Sequence, residues 1–166
     1  MKILYTEQEI NKAVQRTAAL INQHISQTDS PVVFIGVLDG AYKFFTELTS
    51  LISGKPIIID FVKVKSYTGT KQHKLDFLMP SQVDITDALV FIVDDIIDTG
   101  NTMQYLVDML KASKPANVHT VSLLYKRKSK LVPTYYCFEI PNESWVYGYG
   151  MDLDGLFRNI NYICEL

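Results

Sequence analysis

Residues 89–102 constrain the fold more than any other stretch. They begin with a continuous apolar run rich in β-branched residues, Leu-Val-Phe-Ile-Val at 89–93, as is typical of a strand buried on both faces of a parallel sheet. Two adjacent carboxylates, Asp94 and Asp95, end that run, and a third, Asp98, follows. Thr-Gly-Asn-Thr follows at 99–102. Apolar residues then recur at helical spacing, at Met103, Leu106, Val107 and Leu110. The pattern predicts a strand, a short polar turn and a helix.

The predicted turn has the properties of a phosphate-binding site. N–H groups in the first turn of a helix have no helical partner, and the helix dipole favours an anion there. Gly100 would let the backbone approach a phosphate closely, while Thr99 and Thr102 would add hydroxyl donors. Ligands of open α/β sheets bind at this edge. We therefore expect residues 99–102 to form a phosphate cradle.

Three carboxylates, Asp94, Asp95 and Asp98, stand beside this cradle. They would repel a phosphate, unless the ligand also carries hydroxyl groups or a divalent cation, which carboxylates bind well. A phosphorylated sugar with Mg²⁺ satisfies both requirements. The alternative is a capped strand–helix turn with solvated acids, because Asp and Thr are common helix caps. The crowding of acids and hydroxyls around one glycine favours a ligand site.

Strand patterns alternate with helical patterns along the rest of the chain. A capping box at residues 6–9 begins a helix that extends to about Gln27. The other predicted elements are a strand at 32–38, a turn at 39–41 with a helix up to Gly54, and strands at 57–62, 118–125, 135–140 and 145–150. This order predicts an α/β fold with a central, mainly parallel sheet flanked by helices. At 166 residues and 48% hydrophobic, the chain suits one domain, residues 1–166.

For the segment at 63–74 and for Trp145, the sequence is compatible with two interpretations each. The polar segment Lys63–Lys74 holds four lysines and a glycine, and it would be either a solvated hairpin or a mobile lid over an anionic substrate. Trp145 would be either a core residue or a plate on which a flat ligand stacks.

Composition narrows the function classes. The net charge of −2 gives no reason to expect nucleic acid or anionic lipid as a partner. No apolar run approaches the ~20 residues that span a bilayer, and no signal-peptide pattern is present. Cys137 and Cys164 lack metal-ligand spacing and are interpreted as reduced thiols. We expect a cytoplasmic protein without a membrane partner.

Residues 93–102 resemble the phosphoribosyl-diphosphate (PRPP) signature of type I phosphoribosyltransferases, and the whole chain resembles their hypoxanthine-guanine branch. The matching pieces, in the order of the family, are residues 36–40 with 43–45, 66–67, 122–124 with 126–127, 138–141, 146–149, 152 and 157–158. The resemblance implies Mg²⁺-dependent transfer of phosphoribosyl from PRPP to N9 of a 6-oxopurine. It also implies a mobile lid loop, a small C-terminal hood that binds the base, and a homodimer or homotetramer.

The resemblance assigns roles position by position. It implies a PRPP- and phosphate-binding set made of Asp94, Asp95, Thr99, Gly100, Asn101, Thr102, Leu38, Asp39, Gly40 and Arg158. It implies a base-binding set made of Lys126, Trp145, Val146 and Asp152, and lid residues Ser66 and Tyr67. The implied metal ligands are Asp94, Asp95 and Asp152. Asp98 is the implied catalytic residue, which would meet N7 of the purine as general base or proton acceptor.

Two positions depart from the family. Asp94 stands where the family more often has the longer Glu, so its reach to the ribose would need a bridging water. Asp39 occupies a loop position that is often basic or neutral, so we expect its side chain to turn away from pyrophosphate while the backbone amides bind. The peptide before this position can be cis in the family, and a cis Leu38–Asp39 bond is a hypothesis for this chain.

Two functions from other classes remain as alternatives. A receiver domain also has an acidic pair, a further Asp and a Lys at a sheet edge, but its acids lie on different strands, whereas here all three share one turn. A phosphoribosyltransferase fold can also serve as an RNA-binding regulator, which would require a basic face with aromatic platforms.

Overall fold

The computed structural model describes residues 2–66, 75–79 and 81–166. Its elements, in chain order, are β1 (Lys2–Tyr5), α1 (Glu7–Ile25), β2 (Val32–Leu38), α2 (Tyr42–Ser50), β3 (Ile58–Ser66), β4 (Leu75–Met79), β5 (Leu89–Ile97), α3 (Asn101–Lys111), β6 (Asn117–Lys126), β7 (Tyr135–Ile140), β8 (Val146–Tyr147) and β9 (Ile163–Glu165).

The larger sheet has the strand order β4-β3-β2-β5-β6-β7. Strands β3, β2, β5, β6 and β7 are parallel to their neighbours, and β4 is added antiparallel at the edge. The predicted α/β fold with a central, mainly parallel sheet is therefore confirmed. The signature strand β5 is central, so its carboxyl end is flanked by the ends of β2 and β6.

Both faces of the sheet are covered, which explains the continuous apolar runs. Alternate residues face opposite sides: Phe34 and Phe91 pack in the cluster that contains α1 and α2, while Ile35 and Ile92 pack in the cluster that contains α3. All four are 0% exposed, and burying such a side chain contributes about 1.5–3 kcal/mol.

Helix α1 begins where the capping box predicts. The Glu9 amide donates to Thr6 Oγ1 over 3.3 Å, and the Thr6 amide donates to Glu9 Oε2 over 2.8 Å. Its predicted inner face is buried, and this face consists of Ile10, Ala13, Val14, Thr17, Ala18, Ile21 and Ile25.

A second, three-stranded sheet joins the two ends of the chain in the order β1-β9-β8. Strand β1 was not predicted, because its four residues carry too little pattern. The single strand predicted at 145–150 was wrong: only Val146–Tyr147 is a strand, since Gly148 and Gly150 take φ of +96° and +102° and turn the chain. Among the described residues, none of the helices combines the length and hydrophobicity that a membrane crossing requires.

The segment predicted as loop or lid is partly strand. Strand β3 extends past the predicted Val62 to Ser66 and pairs with β4. Ser66 is thus the last residue of a strand, while Tyr67 and the remainder of the predicted lid, residues 67–74, lie outside the described residues.

Candidate active site

The carboxyl ends of β2, β5 and β6 meet at one edge of the sheet, as their parallel pairing requires. Strand β2 leads into the loop at 38–40, where the Leu38–Asp39 peptide bond is cis, in agreement with the hypothesis. Gly40 packs directly on β5, because a Cβ built on it would lie 1.9 Å from Asp95 Oδ2. The loop at 38–40 therefore adjoins the acidic pair of β5.

The predicted phosphate cradle lies between β5 and α3. Gly100 precedes the helix with φ +81°, in the left-handed region that favours glycine. The cradle borders a cavity of about 140 Å³, lined by Asp94, Ile96, Ile97, Asp98, Thr99, Gly100, Thr102 and Met103. The structure thus places three of the four predicted cradle residues, Thr99, Gly100 and Thr102, in one cavity lining at a helix N-terminus, with Asn101 as the first helical residue.

The turn that follows β6 packs against this cradle. The Lys130 amide donates to the Thr99 carbonyl over 3.0 Å. A Cβ on Gly100 would lie 2.5 Å from Ser129 Oγ and 2.8 Å from the Leu131 amide nitrogen. Glycine is therefore needed at position 100 for two reasons, its left-handed backbone conformation and the close packing of the turn after β6. The sequence pattern does not indicate this packing.

A second cavity, of about 250 Å³, lies on the other side of Asp98. It is lined by Asp95, Ile96, Asp98, Lys126, Ser144, Trp145, Val146, Met151 and Asp152. All four predicted base-binding residues are in this lining. Trp145 is 73% exposed, so its interpretation as a core residue is wrong, while stacking on a flat ligand stays a prediction. Asp98 borders both cavities and forms part of the wall between them.

Asp98 is flanked by two ammonium groups. Lys126 Nζ lies 3.3 Å from Oδ2 and Lys128 Nζ lies 3.0 Å from Oδ1. Burial by itself would raise the pKa of Asp98, but the hydrogen bonds and charges of Lys128 and Lys126 outweigh it and hold the pKa below its usual range. Asp98 is therefore ionised near neutral pH, with oxygens that can accept hydrogen bonds. Lys128 is not among the predicted site residues, because a charge run after a strand usually forms a solvated loop.

Asp94 and Asp95 have the opposite tendency. Burial raises the pKa of both carboxyl groups, and the neighbouring negative charge of Asp95 raises that of Asp94 further. Their oxygens also accept from backbone groups, since the Asp95 amide donates to Asp94 Oδ1 over 3.0 Å and the Ile96 amide donates to Asp95 Oδ1 over 2.9 Å. A bound cation or hydroxyl donors would stabilise the ionised form of these two carboxyl groups.

The donor set fits Mg²⁺, which binds oxygen ligands and usually takes only one or two carboxylates together with waters and substrate oxygens. No group of three or more His, Cys, Asp or Glu residues is arranged to hold a metal within the described part of the chain. A magnesium ion here would accordingly depend on oxygens of the substrate. Asp152, the third predicted ligand, is paired with Arg158 at 2.7 Å.

The turn segment at 148–158 closes the site from the C-terminal side. Arg158 bridges it, because one guanidinium nitrogen donates to the Gly150 carbonyl over 2.7 Å while the other pairs with Asp152. Gly150 in turn packs on the first loop, since a Cβ there would lie 2.3 Å from the Gly40 carbonyl oxygen. Arg158 therefore lies at a segment that packs on the loop at 38–40.

The departing residue Asp39 has its own partner. Lys63 of β3 donates to both carboxylate oxygens, over 2.8 and 2.7 Å. Both side chains remain partly exposed, so the pair compensates the charge of Asp39 without burying it.

The chain is similar to proteins of one family. The family model described as the phosphoribosyl transferase domain matches residues 1–154. The hypoxanthine-guanine phosphoribosyltransferase of Mus spretus is 38% identical over 149 residues, which cover 81% of this chain and 69% of that protein. The Streptococcus mutans enzyme of the same name is 32% identical over 167 residues, covering 98% of this chain and 91% of its own length.

Solved structures that resemble this chain come from the same family. The hypoxanthine phosphoribosyltransferase of Trypanosoma cruzi in complex with the product IMP has a TM-score of 0.91 at 33% identity, covering 100% of this chain and 94% of its own. The hypoxanthine phosphoribosyltransferase of Staphylococcus aureus has a TM-score of 0.91 at 29% identity and covers 100% and 91%. The chain therefore belongs to the phosphoribosyltransferase family, in its hypoxanthine-guanine branch.

Proposed function

We propose that this enzyme serves purine salvage by transferring phosphoribosyl from PRPP to N9 of hypoxanthine or guanine, which yields IMP or GMP and pyrophosphate. One observation carries the proposal: a phosphate cradle and a cavity lined by Lys126 and Trp145 adjoin at a single carboxylate, Asp98. The likeness to a T. cruzi enzyme solved with IMP supports it, because that fold holds a purine nucleotide.

PRPP would be bound through its charged ends and its ribose. The first turn of α3 would take the 5-phosphate through residues 99–102, with amides and hydroxyls as donors. Asp94 and Asp95 would accept from the ribose hydroxyls. The backbone of residues 38–40 and the Arg158 guanidinium would bind pyrophosphate, and Lys63, which is paired with Asp39, would weaken the repulsion between that carboxylate and pyrophosphate.

Mg²⁺ would be held by Asp94 and Asp95, through water, and a second Mg²⁺ by Asp152. When bound, it supplies positive charge against the negative charge that develops on the departing pyrophosphate. The raised pKa of the two adjacent acids supports this assignment, because a cation relieves the cost of burying two negative charges.

The base would be read by three contacts. Lys126 would donate to the 6-oxygen, Trp145 would stack on the ring, and the Val146 backbone would meet its edge. Adenine carries an amino donor at position 6 and would leave the Lys126 ammonium unpaired. A site built to hydrogen-bond one partner discriminates against such an analogue by roughly 10⁴ or more.

Asp98 would supply the proton acceptor. Breaking the anomeric bond builds positive charge on the ribose ring and negative charge on pyrophosphate. The backbone amides and Arg158 would stabilise the negative charge on pyrophosphate. As N9 attacks, the base becomes more acidic, and Asp98 would accept at N7. Such assistance is typically worth ~10²–10⁴-fold in rate. The lowered pKa of Asp98 keeps it ionised for this role.

Further expectations remain predictions. They are a single catalytic domain at residues 1–166, a lid that includes Ser66 and Tyr67, a C-terminal hood over the base, a cytoplasmic location and a homodimer or homotetramer. The family match gives no support to the receiver alternative. The overall charge of −2 gives none to RNA binding.

A spectrophotometric assay with PRPP, Mg²⁺ and each purine base tests the proposal. We expect turnover with hypoxanthine, guanine or both, no measurable turnover with adenine, and loss of activity when the metal is chelated. Efficient use of adenine would overturn the assigned base, and inactivity with every 6-oxopurine would overturn the function.

A further inference from the structure

The turn after β6 fixes a second lysine at the active site. Lys128 lies two residues beyond Lys126, and its amide donates to Asn142 Oδ1 over 2.9 Å. The same turn is joined to the phosphate cradle by the bond from the Lys130 amide to the Thr99 carbonyl. The position of Lys128 is thus set from both sides, by the loop after β7 and by the cradle.

Lys128 and Lys126 share one carboxylate unequally. The half-exposed Lys128 lies 3.0 Å from Asp98 Oδ1, whereas the buried Lys126, 5% exposed, lies 3.3 Å from Oδ2. Lys126 donates a hydrogen bond to Oδ2 that, at 3.3 Å, is longer than the ~2.7–2.9 Å typical of charge-assisted bonds, whereas Lys128 faces Oδ1 as an ion pair, and that oxygen accepts no hydrogen bond among the described residues. Lys126 Nζ also lies 5.7 Å from the centre of the Trp145 ring.

We propose that Lys128 is a positioning residue that holds the Asp98 carboxylate and so leaves the Lys126 ammonium available to the 6-oxygen of the base. The inference rests on the proposed function. Without Lys128, Asp98 would keep Lys126 as its only cationic partner among the contacts described for it. The pair would close, and the carboxylate would then compete with the purine oxygen for the same ammonium.

Two other roles for Lys128 predict different results. A partly exposed ion pair is commonly worth only ~0–1 kcal/mol, and its loss would leave the kinetics unchanged. If Lys128 bound the 5-phosphate directly, its loss would raise KM for PRPP and leave KM for the base unchanged.

The test compares Lys128→Met and Lys128→Arg with Arg127→Met. Arg127 is a matched control, because it lies in the same turn but pairs with Glu139 at 2.6 Å and is 79% exposed. We expect Lys128→Met to raise KM for hypoxanthine and to lower kcat/KM for it about tenfold, with KM for PRPP changed less than twofold. Lys128→Arg should restore most of the loss, and Arg127→Met should match the wild type.

The Asp98→Asn background separates action through Asp98 from action on the substrate. There, Lys128→Met should have no further effect on hypoxanthine, because the carboxylate that it positions is gone. A tenfold loss in both backgrounds, or a raised KM for PRPP alone, would overturn the inference. An active wild type with an unchanged Lys128→Met variant refutes only this inference, whereas a wild type inactive with all 6-oxopurines refutes the proposed function.

Discussion

Gly40 follows strand β2 and Asp95 lies near the end of strand β5, yet the Asp95 carboxylate occupies the place where a side chain on Gly40 would begin. A Cβ on Gly40 would lie 1.9 Å from Asp95 Oδ2 and 2.6 Å from its Cγ. Two proposed elements of PRPP binding, the loop at 38–40 and the acidic pair, are therefore held in one geometry by the absence of a single methyl group.

Gly40→Ala should lower kcat/KM for PRPP by at least tenfold, because Asp95 must move from its position. Forcing an extra methyl group into close packing typically costs ~1–3 kcal/mol, so unfolding in urea should also show a loss of stability. Gly54→Ala is the control: no atom lies within 4 Å of its Cβ, but its φ of +91° strains an alanine. It should lose stability and keep activity, and a fully active Gly40→Ala variant would contradict the geometry.

Asp98→Asn should lower kcat by ~10²–10⁴-fold while KM for PRPP changes little, since the proposed role is proton acceptance from the base. Steady-state kinetics with both substrates varied would measure the two effects separately. Equal losses in kcat and in PRPP affinity would mean that the residue only positions the sugar.

Lys126→Met should reduce the preference for hypoxanthine over adenine by at least tenfold, because methionine fills the space without donating to the 6-oxygen. The ratio of kcat/KM for the two bases is the quantity to compare, with Arg127→Met as the neighbouring control. An unchanged ratio would rule out Lys126 as the group that reads position 6.

Lys63→Met should raise KM for PRPP about fivefold, because it leaves the Asp39 carboxylate uncompensated beside the loop proposed for pyrophosphate. The double variant Asp39→Asn/Lys63→Met should return KM towards the wild-type value. Unfolding free energies should change by less than ~1 kcal/mol, since both side chains are partly exposed. If the double variant were as impaired as Lys63→Met, Lys63 would act on PRPP directly.

His119 should make stability depend on pH. Burial lowers its pKa below the ordinary 6.5, and the neighbouring His24, whose ring centre lies 4.5 Å away, lowers it further. Its Nε2 is buried without a hydrogen-bond partner among the described residues, and Tyr135 is engaged with His24 at 2.7 Å. The unfolded chain therefore takes up a proton near pH 6.5, which the folded state resists. Stability is full above that pH and falls as the pH is lowered towards the folded pKa.

Urea unfolding of the wild type and of His119→Phe at pH 7, 6 and 5 measures this effect. Phenylalanine can stack on Phe91 as His119 does, at a ring separation of 5.4 Å. The variant should show a smaller loss of unfolding free energy between pH 7 and 5. An identical loss in both proteins would assign the pH dependence to other groups.

The prediction of the fold from sequence succeeded where the pattern is local. The first five residues of β5 follow from a continuous apolar run, although the strand goes on past the acidic pair to Ile97. Helix α3 follows from apolar periodicity, and the start of α1 follows from one capping box. It failed where an element depends on a distant partner: β1 exists because it pairs with β9 at the other end of the chain, and β3 extends to Ser66 because it pairs with β4. Short strands carry little pattern of their own, so pairing decides them.

For the site, the residue types can be recognised from the chain alone: three acids, two threonines and a glycine at the end of a buried strand, in an order that the family shares. Which groups are neighbours emerges only from the folded chain, as with Lys128 on Asp98, Lys63 on Asp39, and Gly40 against Asp95. The physical reason is that phosphate-binding turns are specified by adjacent residues, whereas the pairing of charges depends on loops brought together across the sheet edge.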